Sequence, residues 1–560
     1  MCGIFLETKS ILEEPDLHKI CSEISHRGPD NQTIYLDSEM RISIAFARLA
    51  IQDVSSQSNQ PFFSENRMSY IVFNGEIYNK DHLRNQLPTS LKIRTNSDTE
   101  ILLQSINFFG IEKTLNQIQG MFALIYVNRE SRIIQVARDM FGIKPMYYSV
   151  DSKGSYKFAS EIKVLRKLVS PQIDTEMVRE FVMCGLLDHT SNTFYNQIKK
   201  ITPGTVLTIE DNGAKLTTWV DNTVNDFDFE SLEEAISTAD SIIMNSIHDS
   251  LISDVPVGLT LSSGVDSNLI RTMVELEKPN ILLHVIGWDE SDYSEVKEAS
   301  KYLDNQSNLH INTFSSNQVF DLIHNSFTIH DEPYTSPFVA IWPEVFKRMK
   351  KQGIGVVLDG TGADEIFFGY TKYQTESFSS YSLRALDGLE IGLRFRSNFI
   401  GEPRNVLEAN EQDIFSLKLP RSLRFLDSSS MSASIEVRPV FLTKSLFHLS
   451  RSFPMDWIMH QNNTKYPLRR ILANHLPSFP AFASKKNIQY PQNKWMLQNW
   501  RQNIINEINN IDVLLDNLSN KEEKNSINVV KNSYLESNSH LSSLSPIWRI
   551  FNANLWLNTL

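Results

Sequence analysis

The feature that most constrains this chain is a change of texture near residue 220. Ahead of it, Arg41 to Phe46 and Ser69 to Phe73 alternate apolar with polar residues, the period of a strand buried on one face. Phe122 to Val127 and Ile133 to Val136 flank a polar turn at Asn128-Arg129-Glu130-Ser131. Val206 to Ile209 and Lys215 to Trp219 flank Asp211-Asn212-Gly213, a hairpin signal because Asn-Gly readily takes positive φ. Helical patterns lie between, as at Ser97 to Phe109. Residues 1–220 thus predict an α+β layered domain with antiparallel sheets. Residues 221–232 are acidic and aperiodic, and predict a linker. Within 233–560, the apolar runs Gly258 to Leu261, Ile281 to Ile286 and Ile354 to Leu358 alternate with helical stretches. That is the βαβ rhythm of an α/β doubly wound parallel sheet. The pattern turns mainly helical after about residue 375. Residues 505–545, rich in Asn, Ser and Lys, predict a loosely packed appendage.

A chain of 560 residues needs more than one core. With 41% hydrophobic and 21% charged residues it reads as soluble and globular rather than disordered. A net charge of −12 argues against nucleic acid, whose phosphates call for a basic face. Cys2, Cys21 and Cys184 are too few for a disulfide framework and point to a reducing compartment. No apolar run is long enough for a bilayer, and the N-terminus lacks a secretory signal, so a cytoplasmic protein is expected.

Cys2 becomes the first residue once Met1 is removed. A terminal cysteine carries its own base, because its α-amino group, with a pKa near ~7.7–8, accepts the thiol proton. The thiolate then attacks an amide carbonyl. Further on come His26-Arg27-Gly28-Pro29-Asp30, Arg48 to Asp53, Asn74-Gly75-Glu76-Ile77-Tyr78-Asn79, Ser97-Asp98-Thr99-Glu100 and Arg138-Asp139-Met140-Phe141-Gly142-Ile143-Lys144-Pro145. In this order they resemble the class II glutamine amidotransferase domain, which implies an N-terminal-nucleophile sandwich of four layers, αββα. The resemblance makes Cys2, Asn74 and Gly75 catalytic, with the Asn74 amide and Gly75 N–H as oxyanion donors. It places Arg48 on the glutamine carboxylate, a fork that suits a guanidinium. Asp98 falls on the ammonium, with Glu76 and the Ile51 backbone nearby. Asp98 also qualifies as a helix N-cap.

In the back half, Leu259-Thr260-Leu261 runs into Ser262-Ser263-Gly264-Val265-Asp266-Ser267 and then a helix. A strand, a small-residue loop and a helix N-terminus make an anion site. It is not a Walker A loop, since no Gly-Lys-Ser/Thr follows. Asp359-Gly360-Thr361-Gly362-Ala363-Asp364-Glu365, Gly369-Tyr370, Ser434 to Leu442, Lys465 to Arg469 and Ser484-Lys485-Lys486 follow. Together these resemble the ATP-pyrophosphatase domain of glutamine-hydrolysing asparagine synthetases. The resemblance implies that Leu261, residues 262–267, Ile286, Asp359 and Gly360 bind ATP. Thr361, Asp364, Glu365 and Arg438 fall at the acyl-adenylate and acceptor site. Lys465 would be the catalytic cation where negative charge develops. Asp266 and Asp364 would share Mg²⁺, which prefers hard oxygen ligands.

Three residues depart from the family pattern. Ser263 and Asp359 replace a glycine and a serine, and Thr361 replaces a glutamate. If position 263 needs φ > 0, its side chain costs roughly 1–2 kcal/mol. The function implied is glutamine hydrolysis to ammonia, followed by amidation of an ATP-activated carboxylate with release of AMP and pyrophosphate. Aspartate is the default acceptor. Another carboxylate, such as a polysaccharide uronic acid, an intramolecular cyclisation and a silent nucleotide-binding relative are the alternatives. The partners expected are small molecules, with no nucleic acid and no membrane, and a homodimer is compatible.

Overall fold

Alternating stretches in the first 220 residues become twelve strands in a computed structural model, which describes residues 2–220, 227–290, 293, 295–303, 307–374, 401–484, 490–518, 520–536 and 544–560. They are β1 (Gly3–Glu7), β2 (Asn31–Asp37), β3 (Ile42–Arg48), β4 (Phe62–Phe63), β5 (Ser69–Ile77), β6 (Gly120–Asn128), β7 (Ile133–Arg138), β8 (Tyr147–Val150), β9 (Tyr156–Ala159), β10 (Lys199–Lys200), β11 (Thr205–Glu210) and β12 (Gly213–Thr218). One antiparallel sheet runs β10-β8-β9-β1-β3-β2 and the other β12-β11-β7-β6-β5-β4. Ile4, Leu6 and Phe46 of the first meet Val72, Ile125 and Val136 of the second in a shared core. Outside, the helix Glu14–Ile24 lays Leu17, Ile20 and Ile24 on Phe5 and Ala45, and Asp98–Phe109 lays Leu102 and Ile106 against Phe73 and Leu124. The layers are αββα, as expected. At the hairpin, Glu210 pairs with Gly213, so the turn is Asp211-Asn212 and Gly213 opens the returning strand.

Of the expected linker, residues 221–226 lie outside the described residues. The stretch ends earlier than expected, because the Ser231 hydroxyl caps a helix that begins at Leu232. Beyond come β13 (Val257–Thr260), β14 (Leu282–Trp288), β15 (Leu309–Phe314), β16 (Val356–Asp359) and β17 (Glu436–Pro439). They form a parallel sheet in the order β15-β14-β13-β16-β17. Order reverses between β13 and β16, so the crevice at their carboxyl ends is the place for a ligand. The Ser262 loop and the helix Val265–Glu277 follow β13, and the Gly360 loop and the helix Ala363–Ile366 follow β16.

The tail differs from expectation. Arg501–Asn509, Asp512–Asp516 and Lys521–Glu536 are packed helices that bury Ile504, Ile508, Leu514, Ile527 and Tyr534. Their polar composition hid apolar residues spaced three or four apart. Residues 519 and 537–543 of that segment lie outside the described residues. The helix Ser545–Leu557 is buried all round. Its Trp556 meets Phe194 and Tyr195 at ring distances of 5.2 and 5.9 Å, and its Nε1 donates to the Asp331 carbonyl at 2.9 Å. Among the described residues no helix is long and apolar enough to cross a membrane.

Trp556 thus ties the end of the chain to the front half. Trp556→Ala is expected to cost roughly 3–5 kcal/mol and lower the urea midpoint accordingly. A change within about 0.5 kcal/mol, as for an exposed residue, would mean that this helix is a peripheral attachment.

Candidate active sites and their joint

At the front site, the Cys2 backbone nitrogen donates to Asn74 Oδ1 at 2.8 Å. That leaves Asn74 Nδ2 fully buried with no hydrogen-bond partner among the described residues. A buried orphan donor costs roughly 1–3 kcal/mol. Here it lies on β5, whose Asn74 amide is bound to the Cys2 nitrogen. Gly75 is required, because a Cβ there would stand 2.1 Å from the Met121 carbonyl of β6. The Arg27 Nε donates to the Cys2 carbonyl at 3.2 Å, while its other nitrogens hold Asp427 and Glu161. Burial pushes the Cys2 thiol up, against the lowering influence of the amino terminus, the Leu49 N–H and Arg48.

The expected glutamine ligands gather around this centre. Arg48 spreads its guanidinium over the Asp53 and Ser55 carbonyls and Asn59 Oδ1. Asp98 Oδ2 accepts the Ile77 N–H at 2.9 Å. It does not cap its helix; the Ser97 side chain does, and Asp98 is the first helical residue. The Ile51 carbonyl accepts the Asp254 N–H from the back half at 3.0 Å, so its expected place beside the glutamine ammonium is shared with an interdomain bond. Glu76 binds Gln52 on one side and Arg438 on the other, the latter at 3.1 Å.

Arg438 corrects an expectation. Its guanidinium lies not at the acceptor but in the joint between the halves. It holds Glu436 at 2.6 Å, Glu76, and the carbonyls of Ser250 and Ile252 at 2.9 and 2.7 Å. The side chain reaches over the Tyr78 ring, towards the glutamine site. Arg438 holds the Glu436 carboxyl down at about 2. Burial pushes Glu76, which shares the same cation, well up. Lys144 lies in the same joint, its Nζ 3.5 Å from the Val437 carbonyl, and burial pushes it down.

In the back crevice, Lys465 Nζ stands 2.8 and 2.7 Å from the two Asp266 oxygens and 2.8 Å from Asp364 Oδ1. The two carboxylates hold the ammonium up, in spite of burial. Lys465 has φ 52°, a left-handed conformation that a lysine adopts only when its surroundings impose it. Gly369 explains the Gly-Tyr pair: a Cβ there would stand 1.9 Å from Asp364 Oδ1 and 2.8 Å from the Lys465 stem. Ser262 to Ser267 form a tight loop, in which Ser267 Oγ accepts the Ser262 N–H at 3.0 Å and Asn268 Nδ2 donates to the Gly264 carbonyl at 2.8 Å. Ser263 does not take positive φ, so the expected strain is absent.

Two cavities meet here. One of about 230 Å³ is walled by Leu261, Ile286 and Trp288, with Asp359, Gly360 and Thr361 at its rim. The other, of about 420 Å³, holds Val265, Asp364, Lys465 and Arg469. Ser262 and Asp266 border both. Glu365, expected at the acceptor, is buried behind the loop, where its Oε1 accepts the Tyr370 hydroxyl at 2.5 Å. Lys485 and Lys486 lie outside the described residues. Arg27, Asp427, Glu436 and Lys144 were given no role from the sequence. Three of them lie within the quoted motifs, whereas nothing in the sequence marks Asp427.

Comparison with known proteins gives the family. The glutamine amidotransferase domain family matches residues 1–220, and the asparagine synthase family matches residues 238–558. The chain belongs to the asparagine synthase family. It is similar to glutamine-hydrolyzing asparagine synthetase 1 of Bacillus subtilis (strain 168), 27% identical with 86% of this chain and 85% of that protein covered. Synthetase 3 of the same organism is 25% identical, with 88% and 87% covered. A putative synthetase of Methanocaldococcus jannaschii is 25% identical, with 85% and 90% covered. As a member, this asparagine synthase-type chain is an ATP-dependent, glutamine-hydrolysing amide ligase.

Two outcomes are expected. Gly369→Ala drives a methyl into the Asp364–Lys465 contact and should lower ATP-dependent turnover at least about a hundred-fold, as a displacement of about 1 Å does. Glutaminase activity is expected to persist. Separately, Glu436 is held below the ordinary glutamate value near ~4.3, so its contribution is complete above that pH and lost as pH falls towards about 2. The unfolding free energy from urea titration should fall over that window. The fall should be shallower in Glu436→Gln, and an identical pH slope in the two proteins would contradict the assignment.

Proposed function

We propose that this chain makes asparagine from aspartate, glutamine and ATP. Support comes first from the joint: Glu76 of the glutamine site and Glu436 of the back sheet share one buried guanidinium. A glutaminase and a nucleotide crevice clamped together suit a reaction in which ammonia made at one is used at the other. The names of the relatives make aspartate the default acceptor.

Removal of Met1 turns the Cys2 nitrogen into an α-amine, which takes the thiol proton. The thiolate attacks the glutamine carboxamide carbon. Asn74 Nδ2 and the Gly75 N–H receive the oxyanion, a contribution worth about 10²–10³ in rate per donor. Ammonia leaves, and water releases glutamate from the thioester. Arg48 and Asp98 hold the two ends of the amino acid. In the crevice, an oxygen of the aspartate side-chain carboxylate attacks the α-phosphorus and pyrophosphate leaves. Lys465 meets the charge that develops on the phosphate. Asp266 and Asp364 are the carboxylates that would hold a Mg²⁺ ion, whose charge would offset that of the pyrophosphate. Ammonia then attacks the acyl carbon and AMP leaves. Three free cysteines suit a reducing, cytoplasmic setting.

Cys2→Ala is expected to abolish glutamine-dependent synthesis while ammonium salts still support it. Active enzyme should show Cys2 at its N-terminus by mass spectrometry. AMP and pyrophosphate should appear in step with asparagine, and Lys465→Met should lower their formation about 10³-fold without touching glutamine hydrolysis. Stoichiometric ADP, or activity with Met1 attached, would refute the respective step. A panel of carboxylic acids beside aspartate tests the acceptor.

A further inference from the structure

Two residues that depart from the family pattern, Asp359 and Thr361, touch each other. Asp359 Oδ1 accepts the Thr361 N–H at 2.8 Å and also the Thr361 hydroxyl. Oδ2 accepts the Thr260 hydroxyl at 2.6 Å. A carboxylate oxygen offers about two lone-pair positions. Oδ1 is therefore filled, and one position on Oδ2 remains. No cation pairs with this carboxylate among the described residues.

Its place narrows what can fill that position. Asp359, Thr260 and Thr361 border the cavity walled by Leu261, Ile286 and Trp288, whereas Lys465, Asp364 and Arg469 border its neighbour. The Asp359 charge thus lies on the nucleoside side of the crevice. Against phosphate oxygens an unpaired carboxylate repels, but against a sugar it meets hydroxyl donors. With a single acceptor position free, it takes one of them.

We propose that Asp359 Oδ2 accepts a hydrogen bond from one ribose hydroxyl of the bound nucleotide and so sets the sugar specificity of this chain. The inference rests on the crevice binding ATP, and adds which group recognises the sugar. Thr260 and Thr361 are positioning residues: their hydroxyls fix the carboxylate. The Thr361 hydroxyl is thereby committed to Asp359 rather than presented to the acceptor. A hydrogen bond to a charged group in a closed site corresponds to roughly ten- to a hundred-fold in affinity.

The test is calorimetric titration of the full chain with α,β-methylene-ATP and its 2′-deoxy and 3′-deoxy counterparts. Wild type is expected to bind one deoxy analogue about ten- to a hundred-fold more weakly than the ribo form, the analogue affected naming the hydroxyl. In Asp359→Ser and Asp359→Asn that gap should shrink below about threefold, with glutaminase activity retained as the sign of an intact fold. Thr361→Val, which frees part of Oδ1, should narrow the gap only partly. Equal binding of all three analogues by wild type overturns the inference and leaves the ATP reading standing. So does a wild-type gap that persists in Asp359→Ser. A rise of about tenfold in the aspartate KM of Asp359→Ser, with the sugar preference unchanged, would assign the carboxylate to the acceptor ammonium instead and refute the proposal. Failure of wild type to bind α,β-methylene-ATP at all overturns the nucleotide crevice and this inference with it.

Discussion

A guanidinium keeps its proton under all physiological conditions, so burying one obliges the protein to bring charge and acceptors to it. Arg438 is fully buried, and two glutamates and two carbonyls converge on it. These partners come from far apart in the chain: Glu76 on β5, Ser250 and Ile252 before β13, and Glu436 on the same strand as Arg438. Removing Arg438 would leave Glu436 as an uncompensated buried charge, typically a loss of about 3–5 kcal/mol. The relative placement of the two halves is therefore fixed where it matters for chemistry. From Arg438 the path to the crevice is short. Its strand pairs with β16, Leu358 opposite Arg438 and Asp359 opposite Pro439. Asp359 then borders the cavity walled by Leu261, Ile286 and Trp288.

The two ends of that path solve opposite problems. At Cys2 the protein leaves a donor, Asn74 Nδ2, without a partner. In the crevice it supplies a cation already held by two carboxylates, Asp266 and Asp364. The first arrangement leaves a buried donor with an unmet hydrogen bond beside the Cys2 nitrogen. The second keeps a lysine protonated and fixed in place, with a left-handed backbone and an adjacent Gly369 to make room. Both are local costs that the surrounding sheets over-determine.

Much of this was legible from residue order. Alternation located the front strands, and apolar runs located the parallel sheet, because burial on one face or both leaves different periods. Motifs brought Cys2, Asn74, Asp266, Asp364 and Lys465 forward, since small loops and paired acids need particular residues. Arg438 was misplaced because a motif fixes where a backbone lies but not which way a long side chain turns. The tail was misjudged for a related reason: Ile504, Ile508, Leu514 and Ile527 are few among many polar residues. Spacing, not composition, decides whether such a helix packs. Asp427 carried no local signal at all; its role with Arg27 exists only through a contact 400 residues apart in sequence.

The departures from the family pattern teach the same point at the scale of single atoms. Taken one at a time, Ser263, Asp359 and Thr361 look like losses. In space each has a partner that suits it. Ser263 keeps negative φ, and its N–H and hydroxyl reach Glu295, whose carboxyl burial pushes up. Thr361 gives its hydroxyl and N–H to Asp359, and Thr260 completes the set. A lone threonine for glutamate removes a charge from the rim of the crevice. An aspartate two residues earlier restores one, held in place by the same threonine. The substitutions thus act as a unit, and changes that share hydrogen bonds are not additive. The charge at this rim stands two residues earlier in the loop rather than being lost, beside a cavity bordered by Leu261 and Ile286, while Lys465 borders its neighbour.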